Sequence, residues 1–110
     1  MQLPAIENRS ATGITGMCVV RDLGGGVGEV RDLYVIPDAW GSGVASTLLH
    51  AMLEWLTRRG ATSASLWVAA DNARARRFYE REGWSLSGEE RTSPLGPTEV
   101  RYDTQLGNVT

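Results

Sequence analysis

The chain has 110 residues, of which 42% are hydrophobic and 22% charged, so we predict a single domain over residues 1–110 with its core in residues 14–105. A formal net charge of −2 argues against a general nucleic-acid binder, and we expect neither a membrane-spanning segment nor a signal peptide. Cys18 is the single cysteine, which excludes an intrachain disulfide and favours a cytoplasmic location.

The apolar periodicity predicts an α/β domain with a mixed sheet and two helices. In chain order the predicted elements are strand 14–20, glycine loop 24–28, strand 29–35, helix 41–59 capped by Gly60, strand 62–69, a helix that begins at Asn72 or Asp71 and stops at Gly83, and strands 84–91 and 98–106. The strand–helix–strand order implies a right-handed crossover between parallel strands.

For two of these elements, the sequence pattern also predicts which side chains share a face. Alternation along strand 29–35 predicts one face with Glu29, Arg31, Leu33 and Val35, and an opposite face with Val30, Asp32 and Tyr34. The inner face of the second helix is predicted to contain Ala75, Phe78, Tyr79 and Glu82.

The segment at residues 33–49 has the strongest functional pattern. A strand ends at Pro37, a turn with Gly41 and Gly43 follows, and an apolar-periodic helix comes next. The unpaired N–H groups of a helix's first turn and its dipole favour an anion such as a pyrophosphate. The turn has no lysine, which argues against a P-loop, and it lacks the third glycine of the dinucleotide-binding fingerprint. A different phosphate-bearing cofactor remains.

Two motifs, LYVIPDAWGSGVASTLL at 33–49 and NARARRFYEREGW at 72–84, occur in this order. Together they resemble the acetyl-CoA-binding core of the GCN5-related N-acetyltransferases (GNAT). The first motif matches that family at Val35, Pro37, Gly41, Gly43, Val44 and Ala45. The second matches at Asn72, Phe78, Tyr79, Gly83 and Trp84. The chain departs from the family at Trp40, where Arg or Gln is usual, and we expect reduced cofactor affinity there rather than its loss.

The resemblance implies the acyl-CoA N-acyltransferase fold, with antiparallel hairpins around a β-α-β crossover. The family's first strand and helices, which form one wall of the acceptor pocket, are expected to be missing because few residues precede Ile14. In this family the strand that ends at Val35 should separate from its parallel neighbour, so that its backbone receives the pantetheine arm of the cofactor.

The implied activity is transfer of the acetyl group of acetyl-CoA, the co-substrate, to a primary amine by direct attack in a ternary complex, without a metal. The cofactor-binding residues implied by the resemblance are Leu33, Tyr34, Val35, Trp40, Gly41, Ser42, Gly43, Val44, Ala45 and Asn72. Asn72 also has a purely structural interpretation, as a helix cap.

Two residues are the candidates for proton transfer. Tyr79 is the candidate acid for the departing thiolate, because a phenol with a pKa of about 10 is protonated at neutral pH. Its alternative is a core aromatic paired with Phe78. Glu29 is the candidate base for the amine, with Asp32 nearby, and its alternative is a surface carboxylate.

The remaining polar residues are not expected to take part in catalysis. Cys18 is interpreted as a buried apolar side chain and His50 as solvated. The arginines of the second helix should form its charged outer face, paired with Glu80 and Glu82, and one or two of them near Asn72 would meet the 3′-phosphate of coenzyme A.

Two alternatives to an enzyme complete in one chain stay open. In the first, the chain is a catalytically silent acyl-CoA-binding module or partner subunit. In the second, a second copy supplies the missing wall in a homodimer. The acceptor is an amine-bearing small molecule or protein.

Overall fold

The computed structural model describes residues 4–10, 13–92 and 94–107, without the side chains of residues 9 and 10. Within them a six-stranded mixed sheet in the order β1-β2-β3-β4-β6-β5 carries two α-helices, which confirms the predicted α/β class. The elements are β1 Ala5–Ser10, β2 Gly13–Gly24, β3 Val27–Val35, a 3-10 turn Pro37–Ala39, α1 Val44–Arg58, β4 Ser63–Ala69, α2 Ala73–Arg81, β5 Ser85–Thr92 and β6 Thr98–Gln105. Neither helix in the described ranges has the length and apolar character that a membrane span requires.

Strand β1 was not among the predicted elements. It pairs antiparallel with β2, from Ala5 opposite Val19 to Ser10 opposite Gly13. Ile6 is its one large apolar side chain, and that side chain packs partly buried against the core. An edge strand that contributes one apolar contact has no alternating pattern, so periodicity could not detect it.

The helix boundaries follow from glycine backbone geometry. Helix α1 begins at Val44 rather than at residue 41, because Gly41 and Gly43 have φ values of 80° and 91°, which a right-handed helix excludes. Gly60 and Gly83 end the two helices as predicted, with φ values of 98° and 94°. In each case the following N–H reaches back to a carbonyl of the last turn, from Ala61 to Leu56 and from Trp84 to Tyr79.

A β-bulge at Arg31 changes the faces of β3. Val19 pairs with Asp32 and Val20 pairs with Val30, so Arg31 is the extra residue. The predicted alternation along 29–35 is therefore wrong. Leu33 pairs with Cys18 and lies on the same face of the sheet as Val30, whereas Glu29 and Asp32 lie together on the opposite face.

The bulge coincides with the point where β3 leaves its parallel neighbour. Strands β3 and β4 pair only from Val27 opposite Ser63 to Val30 opposite Leu66. Beyond that point β3 continues beside β2, and β4 continues beside β6 as far as Ala69. The predicted separation of the strand that ends at Val35 is confirmed, and it leaves the backbone of residues 33–35 facing a gap.

Both helices pack on one face of the sheet, which we call the helix face. An ideal Cβ on Gly28 of β3 would lie 2.6 Å from Leu56 of α1, and one on Gly16 of β2 would lie 3.0 Å from Leu48. Glu82 at the end of α2 contacts His50 of α1 at 2.8 Å, which joins the two helices. The opposite side of the sheet, which includes Glu29, Asp32 and Trp67, is called the far face below.

The close approach of α1 to β3 gives the first testable prediction. Gly28→Ala should lower the free energy of unfolding by about 1–3 kcal/mol, because the added methyl group overlaps the fully buried side chain of Leu56. Chemical denaturation would measure this loss. In a double-mutant cycle, Leu56→Val should relieve part of the overlap, so the double variant should lose less than the sum of the single losses. Strict additivity would contradict the contact.

Candidate active site

A cleft of about 800 Å³ lies on the helix face between the end of β3, the β3–α1 loop and α2. Eight of the ten cofactor-binding residues implied by the resemblance line it: Leu33, Tyr34, Val35, Trp40, Gly41, Gly43, Ala45 and Asn72. Ser42, in the same loop, and Val44, the first residue of α1, are not among the lining residues. Two motifs that are separated in the sequence therefore meet as the two walls of one cleft.

The β3–α1 loop presents the beginning of a helix to this cleft. Gly43 is the N-cap of α1 and has no side chain to cap the helix, while the hydroxyl of the preceding Ser42 accepts a hydrogen bond of 3.4 Å from the Val44 N–H. The next N–H groups of the first turn, those of Ala45 and Ser46, have no intrahelical partner and stay available beside the cleft. An ideal Cβ on Gly41 or Gly43 would have no heavy atom within 4 Å, so open space lies next to both residues. This geometry suits an anion.

Trp40 connects this loop to both neighbouring elements. Its indole Nε1 donates a hydrogen bond of 2.9 Å to the Val35 carbonyl, which fixes the side chain against the end of β3. The guanidinium of Arg74, from the first turn of α2, lies 3.7 Å from the centre of the Trp40 ring. The two residues contact each other across the cleft that both of them line.

Asn72, rather than Asp71, begins α2. Its side-chain oxygen accepts a hydrogen bond of 3.1 Å from the N–H of Ala75, as an N-cap does. The residue also lines the cleft, so the capping role and a position beside a bound ligand are compatible.

Tyr79 lies at the inner wall of the cleft and is 8% exposed. Its ring packs edge-on against Phe78 and Trp84, with centroid distances of 5.3 and 5.9 Å. Burial raises the pKa of the phenol well above its ordinary value, and the nearby Cys18 adds to that rise. Its hydroxyl makes no hydrogen bond to another described residue. The phenol therefore remains protonated and able to donate.

A second cavity of about 290 Å³ occupies the gap between β3 and β4. Its lining combines helix-face residues such as Val30 and Leu66 with far-face residues such as Asp32 and Trp67, so it extends through the sheet. The residues that line both this cavity and the cleft are Leu33, Asn72, Ala75 and Tyr79. Tyr79 thus stands between two spaces that approach the sheet from opposite sides.

The structure does not bring Glu29 to either cavity. Its carboxylate forms an ion pair of 2.6 Å with Arg21, and its side chain is 12% exposed. Glu29 belongs to the part of β3 that still pairs with β4, where the sheet has no gap. Asp32, beyond the bulge, lines the second cavity instead. Sequence alone favours Glu29 over Asp32, because the bulge at Arg31 and the gap beside Asp32 leave no local sequence signal.

The arginines of α2 differ from their predicted arrangement. Arg74, Arg77 and Arg81 line the cleft, and their spacing of three and four residues puts them on one side of the helix. The predicted pairing with Glu80 and Glu82 is wrong. Across residues 4–10, 13–92 and 94–107, Glu80 instead accepts a hydrogen bond of 2.6 Å from the Tyr102 hydroxyl, and Glu82 contacts His50.

Arg76 points away from the three cleft arginines. It donates to the Tyr102 hydroxyl at 3.0 Å and to the Ala70 carbonyl at 2.7 Å, which secures the β4–α2 connection. Within the described ranges no group of His, Cys, Asp and Glu residues could hold a metal ion.

With this geometry established, the comparison with known proteins identifies the family. A model of the Acetyltransferase (GNAT) family matches residues 5–84, which include β1 through α2. The chain belongs to the GNAT family. This agrees with the resemblance of the two motifs, and the match also includes the unpredicted strand β1.

Two curated GNAT relatives are similar over parts of their length. An uncharacterized N-acetyltransferase of Archaeoglobus fulgidus is 43% identical over 53 residues, which are 48% of this chain and 36% of that protein. A mycothiol acetyltransferase of Brachybacterium faecium is 34% identical over 91 residues, 80% of this chain and 27% of the relative. The chain thus spans well under half of the length of either relative.

A solved structure shares the fold. The PaiA N-acetyltransferase from Thermoplasma acidophilum, in complex with coenzyme A, superposes with a TM-score of 0.81 and 15% identity. The match covers 96% of this chain and 62% of that one. At this identity the likeness supports the GNAT fold and no individual residue role.

The buried thiol of Cys18 gives a prediction about pH. Burial, with the nearby Asp32 charge, raises its pKa from 9.0 to about 12. The unfolded chain therefore releases this proton at a lower pH, so the free energy of unfolding should fall as pH rises from about 9, by at most about 1.4 kcal/mol per pH unit. Urea denaturation between pH 8 and 10 should give a shallower fall for Cys18→Ala than for the unchanged protein. Parallel pH profiles would contradict the raised pKa. Burial also raises the pKa of Tyr79, so this residue lowers the free energy of unfolding further only above a pH of about 10.

Proposed function

We propose that this chain forms the cofactor-binding and catalytic core of an N-acetyltransferase that transfers the acetyl group of acetyl-CoA to a primary amine. One observation carries the proposal. Tyr79, a buried and protonated phenol, stands between a cleft with an anion-binding loop and a cavity that reaches the far face of the sheet. Direct transfer between two substrates needs such an arrangement, with a proton donor where they meet.

The described residues fit a coenzyme A thioester along the length of the cleft. The first turn of α1, whose N-cap is a glycine, and the open space at Gly41 and Gly43 suit its diphosphate. The backbone of residues 33–35, unpaired on the β4 side, can hydrogen-bond an extended pantetheine arm as a neighbouring strand would. This assignment uses main-chain atoms, so it depends on the separation of the strands more than on side-chain identity.

The acetyl group would move in one displacement. The neutral amine attacks the thioester carbonyl carbon, a C–N bond forms, and the C–S bond breaks as the electron pair leaves on sulfur. Tyr79 donates its phenolic proton to that thiolate and regains a proton from solvent afterwards. Burial raises the pKa of Tyr79, so the phenol still carries its proton when the thiolate leaves.

Asp32 is the base that we assign in place of Glu29. It lies on the far face at the second cavity, from which an amine would approach, whereas Glu29 is paired with Arg21. Asp32 would accept the proton that the amine nitrogen loses as its C–N bond forms, directly or through a water molecule. The acceptor class remains an amine-bearing small molecule or protein.

The second candidate function is a module that binds acyl-CoA without catalysis. The hydrogen bond from Trp40 to the Val35 carbonyl favours it, because the bond occupies a main-chain acceptor that would help to position the pantetheine arm for reaction, whereas the open space at Gly41 and Gly43 stays available to the diphosphate. Acetyl-CoA binding without thiol release across a panel of amines would support the silent module over the enzyme.

If Tyr79 is the general acid, Tyr79→Phe should lower turnover without changing the affinity for acetyl-CoA. This change removes only the hydroxyl, so kcat should fall by about 10²- to 10⁴-fold, whereas the Kd for acetyl-CoA should stay within about twofold. A discontinuous assay of thiol release measures kcat, and calorimetry measures the Kd. Unchanged turnover would sink the acid role and leave Tyr79 as a core aromatic.

The base assignment is tested by comparing two carboxylates on the same strand. Asp32→Asn should lower kcat/KM by about 10²-fold, because it keeps the size of the side chain and removes the base. Glu29→Gln is the matched control, since it should cost stability through the lost ion pair with Arg21 and leave kcat/KM within about twofold. The reverse pattern would return the role to Glu29.

A further inference from the structure

The GNAT signature of the β3–α1 loop usually includes Arg or Gln at the position of Trp40. An indole has one N–H donor and no charge, and in this chain that donor is used by the Val35 carbonyl. The loop itself therefore offers no side-chain cation to a diphosphate. A cation is nevertheless present at this position, because the guanidinium of Arg74 stacks on the indole at 3.7 Å.

Arg74 differs from the other arginines that stack on tryptophan. Arg59 lies over Trp55 and also contacts Asp22 at 3.5 Å. Arg91 lies over Trp67 and also pairs with Glu99 at 2.7 Å. In the part of the chain that the structure describes, Arg74 has no such carboxylate. Its charge is held over the cleft by the aromatic ring alone.

We propose that Arg74 binds the diphosphate of coenzyme A and that Trp40 is the positioning residue that holds it there. The inference rests on the proposed function and identifies the source of a charge that the loop lacks. In this chain the cation comes from the first turn of α2, on the opposite wall of the cleft, instead of from the β3–α1 loop.

The stacking geometry supports this assignment. A guanidinium held over the face of an indole by a cation–π contact spends no N–H donor on that contact, so its donors stay free for phosphate oxygens. Trp40 is itself fixed by its hydrogen bond to Val35, so the stacked cation is restricted before any ligand arrives. Arg74 also lines the cleft together with Gly41 and Gly43, which suit the same anion.

Three ligands that lack successive parts of the nucleotide separate the alternatives. Calorimetry would measure coenzyme A, dephospho-coenzyme A, which lacks the 3′-phosphate, and pantetheine, which also lacks the diphosphate and the adenosine. Arg74→Ala should weaken the first two by the same factor, about 10- to 100-fold, and leave pantetheine binding unchanged. Arg59→Ala, which removes another tryptophan-stacked arginine outside the cleft, should leave all three affinities unchanged.

Each other result has a distinct meaning. A loss with coenzyme A that disappears with dephospho-coenzyme A would assign Arg74 to the 3′-phosphate and overturn the proposal. Equal affinities for Arg74→Ala and the unchanged protein would overturn it as well. If the unchanged, folded protein bound none of the three ligands, the proposed function itself would fail.

Trp40→Arg, which restores the usual signature residue, tests the exchange of the diphosphate-binding cation between the β3–α1 loop and α2. In that background Arg74→Ala should cost less than about threefold in coenzyme A affinity, because the loop then supplies the cation. A full loss in that background would contradict the exchange. Trp40→Phe keeps a ring for stacking and should retain more affinity than Trp40→Ala, with thermal denaturation confirming that each variant is folded.

Discussion

The loss of hydrogen bonding between β3 and β4 beyond Val30 is the constraint on which the site depends. Two parallel strands that stayed paired would have sealed the sheet and left no backbone for an extended ligand. The bulge at Arg31 occurs at the same point and increases the local twist of β3. The gap gives the cleft its inner edge and opens the second cavity through the sheet.

The position and the protonation of the Tyr79 phenol depend on α2, the helix that covers this gap. The glycine stop after α2 and the aromatic neighbours Phe78 and Trp84 hold the phenol ring at the boundary of the core. Burial there keeps the hydroxyl neutral, which a general acid requires at ordinary pH. A core aromatic and a proton donor are thus compatible roles for one side chain, because ring and hydroxyl meet different surroundings.

Helix α2 divides its charges between two sides. Arg76 and Glu80 meet the Tyr102 hydroxyl and bind the helix to β6, whereas Arg74, Arg77 and Arg81 line the cleft. The first group stabilises the position of the helix through a partly buried network of hydrogen bonds. The second gives the cleft a positive wall opposite the first turn of α1, which suits a ligand with several phosphates.

The sequence by itself determined the features that depend on neighbours along the chain. Helix ends at Gly60 and Gly83, the cap at Asn72 and the glycines of the β3–α1 loop all follow from local backbone geometry, and the two motifs pointed to the family. Only the tertiary structure decided strand β1, the bulge at Arg31 and the pairing of Glu29 with Arg21. Strand register and cross-strand pairing join residues that are distant in sequence, so no local pattern specifies them. The stacking of Arg74 on Trp40 belongs to the same class, since it exists only where two walls of one cleft meet.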